Sequence, residues 1–331
     1  MMCVMNKRKN AKNIAYFCVI LLLVFVMLFS GLQILESTVF APRREENAQM
    51  ESKKITRNGV DYYPRQDITV IMLLGIDQFG PVKASGSYNN TGAADMVALL
   101  IFDEKNETYS VLGLNRDAMV TMPVLGIGGK PAGTQYAQLA LSHTQGSGLE
   151  DSCENTRKTV SELLYGLKID YYFSMHMDAI TILNDAVGGV EVNVVDDFSE
   201  IDPTIQKGKM TLRGQQAINY VRTRKEVGDQ LNISRMERQK EYVSGFLTAL
   251  RNKAEQSESF LLSAYEQADP YVVTDISTKQ MTSLFQRYAD YQYTGMVTLE
   301  GKNVLTEFYY EFHIDEEKLD ELILKLFYAP K

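Results

Sequence analysis

The sequence is poor in cysteine and histidine, and this scarcity removes several classes of site. Three of its 331 residues are Cys and three are His. Cys3 and Cys18 lie in or just before an apolar N-terminal segment, which leaves Cys153 as the only cysteine in the rest of the chain. One thiol cannot form an internal disulfide, and no Cys/His spacing resembles a zinc site. We therefore predict that Cys153 is a small, buried side chain.

Positive charge is also scarce. The chain has 34 Lys and Arg against 42 Asp and Glu, a formal net charge of −8. Non-specific binding to DNA relies on an excess of Lys and Arg that neutralises phosphates. We therefore expect no nucleic-acid partner. An anionic ligand would have to be held by a local cluster of arginines and not by the overall field.

One long run is apolar on every side. Residues 14–35 read IAYFCVILLLVFVMLFSGLQIL and contain no charge. At about 1.5 Å per residue this run is roughly 30 Å long, enough to cross a bilayer. Lys and Arg within residues 1–13 predict a cytoplasmic tail, a single transmembrane anchor and an extracytoplasmic remainder at the cell membrane. A cleaved signal peptide is the alternative, but its apolar core is shorter and ends at an A-x-A-like site.

The remainder alternates between strand and helix patterns. Residues 36–66 are polar and predict a linker, so we place the start of the folded domain at Asp67. Continuous apolar runs predict buried strands over 68–74, 96–102 and 109–114. Helical spacing follows over 151–165, 178–187 and 234–250, the last with Ser234 as its cap. This order predicts an α/β domain in which a central mixed sheet is flanked by helices, an α-β-α arrangement. Its core would cover 67–250, and the helices and strands of 251–331 would complete the same domain.

Charged residues stand at the ends of the three predicted strands. Asp77 follows the first strand, Asp95 precedes the second, and Arg116 follows the third. Two carboxylates at strand ends suit a hard divalent cation such as Mg²⁺, which takes oxygen ligands and bridges phosphates. The sequence therefore indicates a metal at Asp77 and Asp95, with Asp117 orienting Arg116.

A second group of arginines lies in the segment YVRTR and on the helix after it. Arg222 and Arg224 are two residues apart, and Arg235 and Gln239 share one helix face. Converging guanidinium groups repel one another unless an anion lies among them, and Arg binds phosphate oxygens in pairs. The set indicates a pyrophosphate or phosphodiester site. Structural ion pairs are the alternative explanation for any one of these arginines.

The order of six motifs carries a resemblance to a known family. GIDQ, AADM, LNRDAM, NDAVGGVEV, LRGQQAINYVRTR and SRMERQ together resemble the LytR–CpsA–Psr family, over roughly residues 67–250. The resemblance implies an α-β-α domain with an apolar pocket for a polyprenyl lipid. It implies transfer of a phosphate-linked glycopolymer, such as wall teichoic acid or capsule, from a polyprenyl-pyrophosphate carrier to peptidoglycan, assisted by Mg²⁺ or Mn²⁺.

The resemblance also implies roles for individual residues. The metal would be held by Asp77 and Asp95. The pyrophosphate would be bound by a set of polar side chains, namely Arg222, Arg224, Arg235 and Gln239. Arg116 and Asp229 would be the catalytic residues, with Arg116 at the pyrophosphate and Asp229 acting as a base or orienting an arginine.

The sequence departs from the family pattern at three places. The family usually has an arginine where this chain has Ala93, and a proline where it has Asn115. The segment from Asp229 to Arg235 is longer than the common form. The first departure removes a phosphate contact, so three functions stay open: an envelope phosphotransferase, a non-catalytic or regulatory protein that binds lipid-pyrophosphate glycans, and a lipid-pyrophosphate hydrolase.

Overall fold

The computed structural model describes residues 54–330, except 224–226, 229–231, 257–259 and 289. Its strands are β1 (Ile55–Arg57), β2 (Val60–Pro64), β3 (Ile68–Ile76), β4 (Ala94–Asp103), β5 (Thr108–Leu114), β6 (Met119–Leu125), β7 (Pro131–Gln138), β8 (Tyr171–His176), β9 (Val190–Val194), β10 (Gly208–Leu212), β11 (Val272–Thr274), β12 (Gln292–Thr298), β13 (Gly301–Leu305), β14 (Tyr310–Ile314) and β15 (Tyr328–Pro330). Its helices are α1 (Glu150–Leu163), α2 (Met177–Ala186), α3 (Gln215–Arg222), α4 (Asn232–Gln256), α5 (Phe260–Ala268), α6 (Thr278–Tyr288) and α7 (Glu316–Phe327).

A six-stranded mixed sheet forms the centre, in the order β11-β8-β3-β4-β5-β12. β3 runs parallel to β8 and antiparallel to β4, and β4 and β5 are also antiparallel. Most of β3 is buried on both faces, because its sequence ITVIMLLGI is apolar except for Thr69. The edge strands β11 and β12 come from the C-terminal part of the chain.

Helices cover both faces of this sheet and create two apolar cores. The first core lies under α2 to α6 and includes Phe102, Phe173 and Phe246. The second lies under α1 and α7 and includes Leu99, Val160 and Ile323. The predicted α/β class, with a mixed sheet flanked by helices, is confirmed. Cys153 is fully buried in the second core, as predicted.

Three sequence-based boundaries are wrong. The predicted linker of 36–66 ends in two strands, because β1 pairs with β2, and β2 pairs with β15 near the C-terminus. The apolar pattern also predicts one strand near 304–310, but the structure places its ends in β13 and β14, with a turn at 306–309 between them. Ser234 lies inside α4 and not at its cap, since this helix begins at Asn232. The first error has a clear physical cause, because the partner of β2 lies near the far end of the chain.

Among the residues that the structure describes, no helix is both long and apolar enough to cross a membrane. The predicted tail and anchor, residues 1–35, lie outside the described residues.

Candidate active site

Strand register brings the two predicted metal carboxylates to one edge of the central sheet. β3 and β4 are antiparallel, so the end of β3 lies beside the start of β4. The register shifts there: Gly75 pairs with Met96 but Ile76 pairs with Ala94, which leaves Asp95 as an extra, bulged residue. The backbone N–H of Asp77 donates to the carbonyl of Ala93 at 2.9 Å. Bulges are common beside active sites because they redirect a side chain, and here the bulge falls on Asp95.

The Asp95 carboxylate accepts hydrogen bonds from two arginines that are far apart in sequence. Arg116 Nη1 donates to Oδ1 at 2.5 Å, and Arg235 Nη1 donates to Oδ2 at 3.2 Å. The Arg235 side chain is only 3% exposed and that of Asp95 10%. The carboxylate therefore links the end of β5 to the first turns of α4 in a nearly dry environment.

Asp77 forms a more open ion pair with Arg222, the last residue of α3. Arg222 donates in a fork, from Nε to Oδ1 at 2.9 Å and from Nη2 to Oδ2 at 3.1 Å. The two side chains are 44% and 31% exposed. The hydrogen bond to Asp77 raises the pKa of the Arg222 guanidinium against the opposing effect of burial, and the charge of Asp95 adds to the rise. All five of Asp77, Asp95, Arg116, Arg222 and Arg235 thus meet in one cluster, which we call the Arg–Asp cluster.

Arg116 is held in place by a buried polar group. The Asp117 carboxylate, only 2% exposed, lies 3.5 Å from Arg116 Nε. Gln138 Nε2 donates to this carboxylate at 3.0 Å and to the carbonyl of Tyr310 at 2.7 Å. The backbone N–H of Asp117 donates to Asn115 Oδ1. Asp117 therefore faces Arg116 and the protein interior, which fits a residue that orients the arginine.

Polar residues of α4 contact two different parts of the site. Arg235 binds Asp95, as described above, whereas Arg238 and Gln239 bind the end of α3. Arg238 is 3% exposed, and it donates to Asp196 at 2.6 Å and to the carbonyls of Tyr220 and Thr223. Gln239 donates to the carbonyl of Val221 at 3.1 Å. These bonds hold the C-terminal end of α3, so they fix the position from which Arg222 extends.

Two predicted site residues, Arg224 and Asp229, lie outside the described residues. Their predicted roles stay predictions. In the part of the chain that is described, no group of three or more acidic, His or Cys side chains is arranged to hold a metal ion. The chemistry of the donor set at Asp77 and Asp95 nevertheless fits Mg²⁺, which binds proteins through one or two carboxylates together with phosphate oxygens and waters.

The loop between β3 and β4 is held by buried hydrogen bonds to the segment that contains His143 and Gly146. Asn90 Nδ2 donates to the carbonyls of His143 and Gly146, and its Oδ1 accepts from the N–H of Gly92. His143 Nδ1 lies 2.7 Å from the carbonyl of Gly92 and must donate, because a carbonyl only accepts. Burial lowers the pKa of the His143 imidazole to about 4. This histidine is therefore a neutral structural residue directly beneath the loop that leads to Asp95.

An apolar cavity of about 320 Å³ opens from the Arg–Asp cluster into the first core. Its walls come from the sheet, from α2 and from α4, and include Leu73, Phe173, Ile180, Val243 and Phe246. The same cavity is bordered by Asp95, Arg222, Arg235 and Gln239. A site of this shape can hold an anionic group at its mouth and a hydrocarbon chain in its interior.

Sequence reasoning missed two contributors to the site. Phe79 is 52% exposed, and its ring lies 5.7 Å from the guanidinium carbon of Arg222. Gln138 supports Asp117 from a hairpin, β6–β7, that the sequence did not predict. The sequence offered one indication of the position of Phe79, which stands two residues after Asp77. It offered none for Gln138, because its partner Asp117 is 21 residues away in an irregular segment.

Comparison with known proteins identifies the class to which this fold and site belong. The family model for the LytR_cpsA_psr family matches residues 35–327, so the chain belongs to this family. The polyisoprenyl-teichoic acid–peptidoglycan teichoic acid transferase TagT of Bacillus subtilis is 27% identical over 277 residues, covering 79% of this chain and 77% of the relative. The corresponding TagU of Oceanobacillus iheyensis is 26% identical over 282 residues, covering 81% and 79%. A solved structure described as TagT bound to LI-WTA matches with a TM-score of 0.57 and 25% identity, over 79% of this chain and 90% of that one.

Proposed function

We propose that this chain is an envelope phosphotransferase. It would move a phosphate-linked glycopolymer from a polyprenyl-pyrophosphate carrier to peptidoglycan with the help of Mg²⁺ or Mn²⁺. The observation that carries the proposal is the continuity of the Arg–Asp cluster with the apolar cavity, because a polyprenyl pyrophosphate has an anionic head and a hydrocarbon tail. The names of the teichoic acid transferases among its relatives support the same substrate class.

The reaction would break the phosphoanhydride bond of the carrier and form a phosphoester bond to the acceptor. A hydroxyl oxygen of the acceptor glycan attacks the phosphorus that carries the glycopolymer, and a new O–P bond forms. The bond from this phosphorus to the bridging oxygen breaks, and polyprenyl phosphate leaves with the electron pair. The hydroxyl proton passes to a base, which is one of the two roles predicted for Asp229, the other being to orient an arginine. A cation bound at Asp77 and Asp95 would supply neutralisation of phosphate charge.

The arginines contribute electrostatic stabilisation. Positioned guanidinium groups in a poorly hydrated site stabilise the charge that develops on the transferring and leaving oxygens. Arg235 is almost completely buried and Arg116 is backed by Asp117, so both are preorganised. Arg222 is more exposed and borders the cavity mouth, where it can exchange Asp77 for a phosphate oxygen.

The predicted membrane topology would serve the same function. A single transmembrane helix at residues 14–35, with a cytoplasmic N-terminus, would keep the extracytoplasmic domain close to a substrate that itself lies in the bilayer.

A transfer assay on the full-length chain in detergent tests the proposal. The donor is a polyprenyl-pyrophosphate glycan labelled in its sugar, the acceptor is peptidoglycan, and the cation is Mg²⁺. We expect label in peptidoglycan with wild type and a loss of at least tenfold with Arg222→Ala. Arg213→Ala is the matched control, because Arg213 is an exposed arginine just before α3. Label released as free glycan phosphate would indicate the hydrolase, whereas binding without either product would indicate the regulatory binding protein.

A further inference from the structure

Phe79 is an exposed aromatic ring beside the Arg–Asp cluster, and packing does not require it there. Its side chain is 52% exposed and belongs to neither apolar core. A single exposed hydrophobic residue is ordinary on a protein surface. Phe79 differs because its ring lies over the guanidinium of Arg222, 5.7 Å from ring centre to guanidinium carbon.

The backbone on both sides of Phe79 is fixed. Before it, the carbonyl of Gln78 accepts from the N–H of Met177 at 2.9 Å. After it, the N–H of Gly80 donates to Asp178 at 2.5 Å, and the carbonyl of Gly80 accepts from His176 Nδ1 at 3.0 Å. Gly80 has φ +78°, a conformation that glycine adopts without strain. The start of α2 therefore clamps this turn and presents the ring toward solvent, so little conformational entropy remains to be lost on binding.

We propose that Phe79 is a specificity-determining residue whose ring stacks against the first sugar attached to the pyrophosphate; this rests on the proposed function. A phosphate oxygen held by Arg222 would place the attached pyranose next to the ring. One face of a pyranose carries mainly C–H groups, which bury favourably against an aromatic surface. Because the ring stands outside the apolar cavity, it would recognise the sugar and not the lipid.

Two probes with the same lipid tail separate sugar recognition from head-group binding. The first is farnesyl pyrophosphate, and the second is farnesyl pyrophosphate carrying one N-acetylhexosamine on its terminal phosphate. Calorimetry on the full-length chain would measure both with wild type, Phe79→Ala and Phe79→Tyr. Covering about half of the exposed ring area corresponds to roughly a five- to tenfold change in affinity.

We expect Phe79→Ala to weaken the sugar-bearing probe by that factor and to leave the sugar-free probe within twofold. Phe79→Tyr, which keeps the ring, should restore wild-type affinity. Equal weakening of both probes would overturn the proposal, because Phe79 would then act only by holding Arg222. No change with either probe would overturn it as well. If wild type bound neither probe, the proposed function itself would fail.

Discussion

The ion pair between Asp77 and Arg222 predicts that replacing Asp77 increases the affinity for pyrophosphate when no divalent cation is present. In the structure Arg222 is engaged by a carboxylate and must leave it to bind a phosphate oxygen. Asp77→Asn removes the competing charge and releases the arginine. Without a divalent cation, the variant should therefore bind inorganic pyrophosphate more tightly than wild type, although the change removes a predicted site residue.

The size of the effect follows from the exposure of the pair. Side chains that are 44% and 31% exposed form an ion pair worth about 0.2–1 kcal/mol. Releasing that pair corresponds to an affinity gain of roughly 1.4- to fivefold. The same change at Asp95 would be harder to interpret. Its carboxylate is nearly buried between two arginines, so losing its charge would also disturb the fold.

Isothermal titration calorimetry with inorganic pyrophosphate, in EDTA and in excess Mg²⁺, measures the prediction. In EDTA the gain should appear. In Mg²⁺ the order should reverse, because Asp77→Asn leaves one carboxylate where wild type has two. Asp61→Asn is the control, since Asp61 forms a comparably exposed pair with Lys54. Weaker binding of Asp77→Asn in EDTA would refute the partner-exchange reasoning.

Three further predictions concern stability and the cavity. Arg238→Ala should lower the free energy of unfolding by about 1–3 kcal/mol in urea titrations, because it leaves a partly buried carboxylate and two carbonyls without their donor. Arg222→Ala should change it by less than about 1 kcal/mol. His143 has a folded-state pKa of about 4, below its unfolded value of 6.5. Wild type should therefore lose roughly 3 kcal/mol of stability as the pH falls from 6.5 to 4, because the unfolded state binds the proton more readily. His143→Gln should reduce this pH dependence. Ala98→Phe, which fills the cavity, should weaken farnesyl pyrophosphate at least tenfold but leave inorganic pyrophosphate unchanged.

Each of these has a clear contrary result. Equal destabilisation by the two arginine variants would contradict the division between a structural and a functional arginine. A wild-type stability that is level between pH 6.5 and 4 would mean that the imidazole is not held neutral. Loss of inorganic pyrophosphate binding in Ala98→Phe would mean that the cavity and the Arg–Asp cluster are not separable.

The sequence predicted the parts of the fold whose signal is local. The run of β3 and the spacing of α1 and α2 identify their structures without reference to the rest of the chain. β7 went unrecognised because its sequence, PAGTQYAQ, is largely polar, contains Gly and is mostly exposed. β6, MVTMPVL, contains Pro123, which weakens a strand signal. β1 and β2 resembled a linker because β2 finds its second partner only at the far end of the chain.

In the candidate site as well, the placements that depend on nearby strands could be predicted, and those that depend on distant contacts could not. Asp77, Asp95 and Arg116 were placed together from strand ends, which depends on neighbouring strands alone. The direct pairing of Asp77 with Arg222 could not be predicted, because these two residues are 145 positions apart in sequence. Arg238 illustrates the limit most clearly. It lies one turn from Arg235 on the same helix and carries the same charge, yet it donates to Asp196 and backbone carbonyls and not to the Arg–Asp cluster.

The origin of the edge strands has a consequence for how the domain is made. β11 and β12 are the outermost strands of the central sheet, and β15 pairs with β2, so strands made early find these partners only in the last part of the chain. Contacts of such long sequence separation slow folding, and until they form β8 and β5 are the exposed edges of the sheet. A ribosome delivers the N-terminal strands first. This domain therefore completes its folding only after nearly the whole polypeptide has been synthesised. A chain that stopped at residue 250 would contain every residue of the Arg–Asp cluster but would leave β8 and β5 unpaired at the edges of the sheet, where they could pair with other chains.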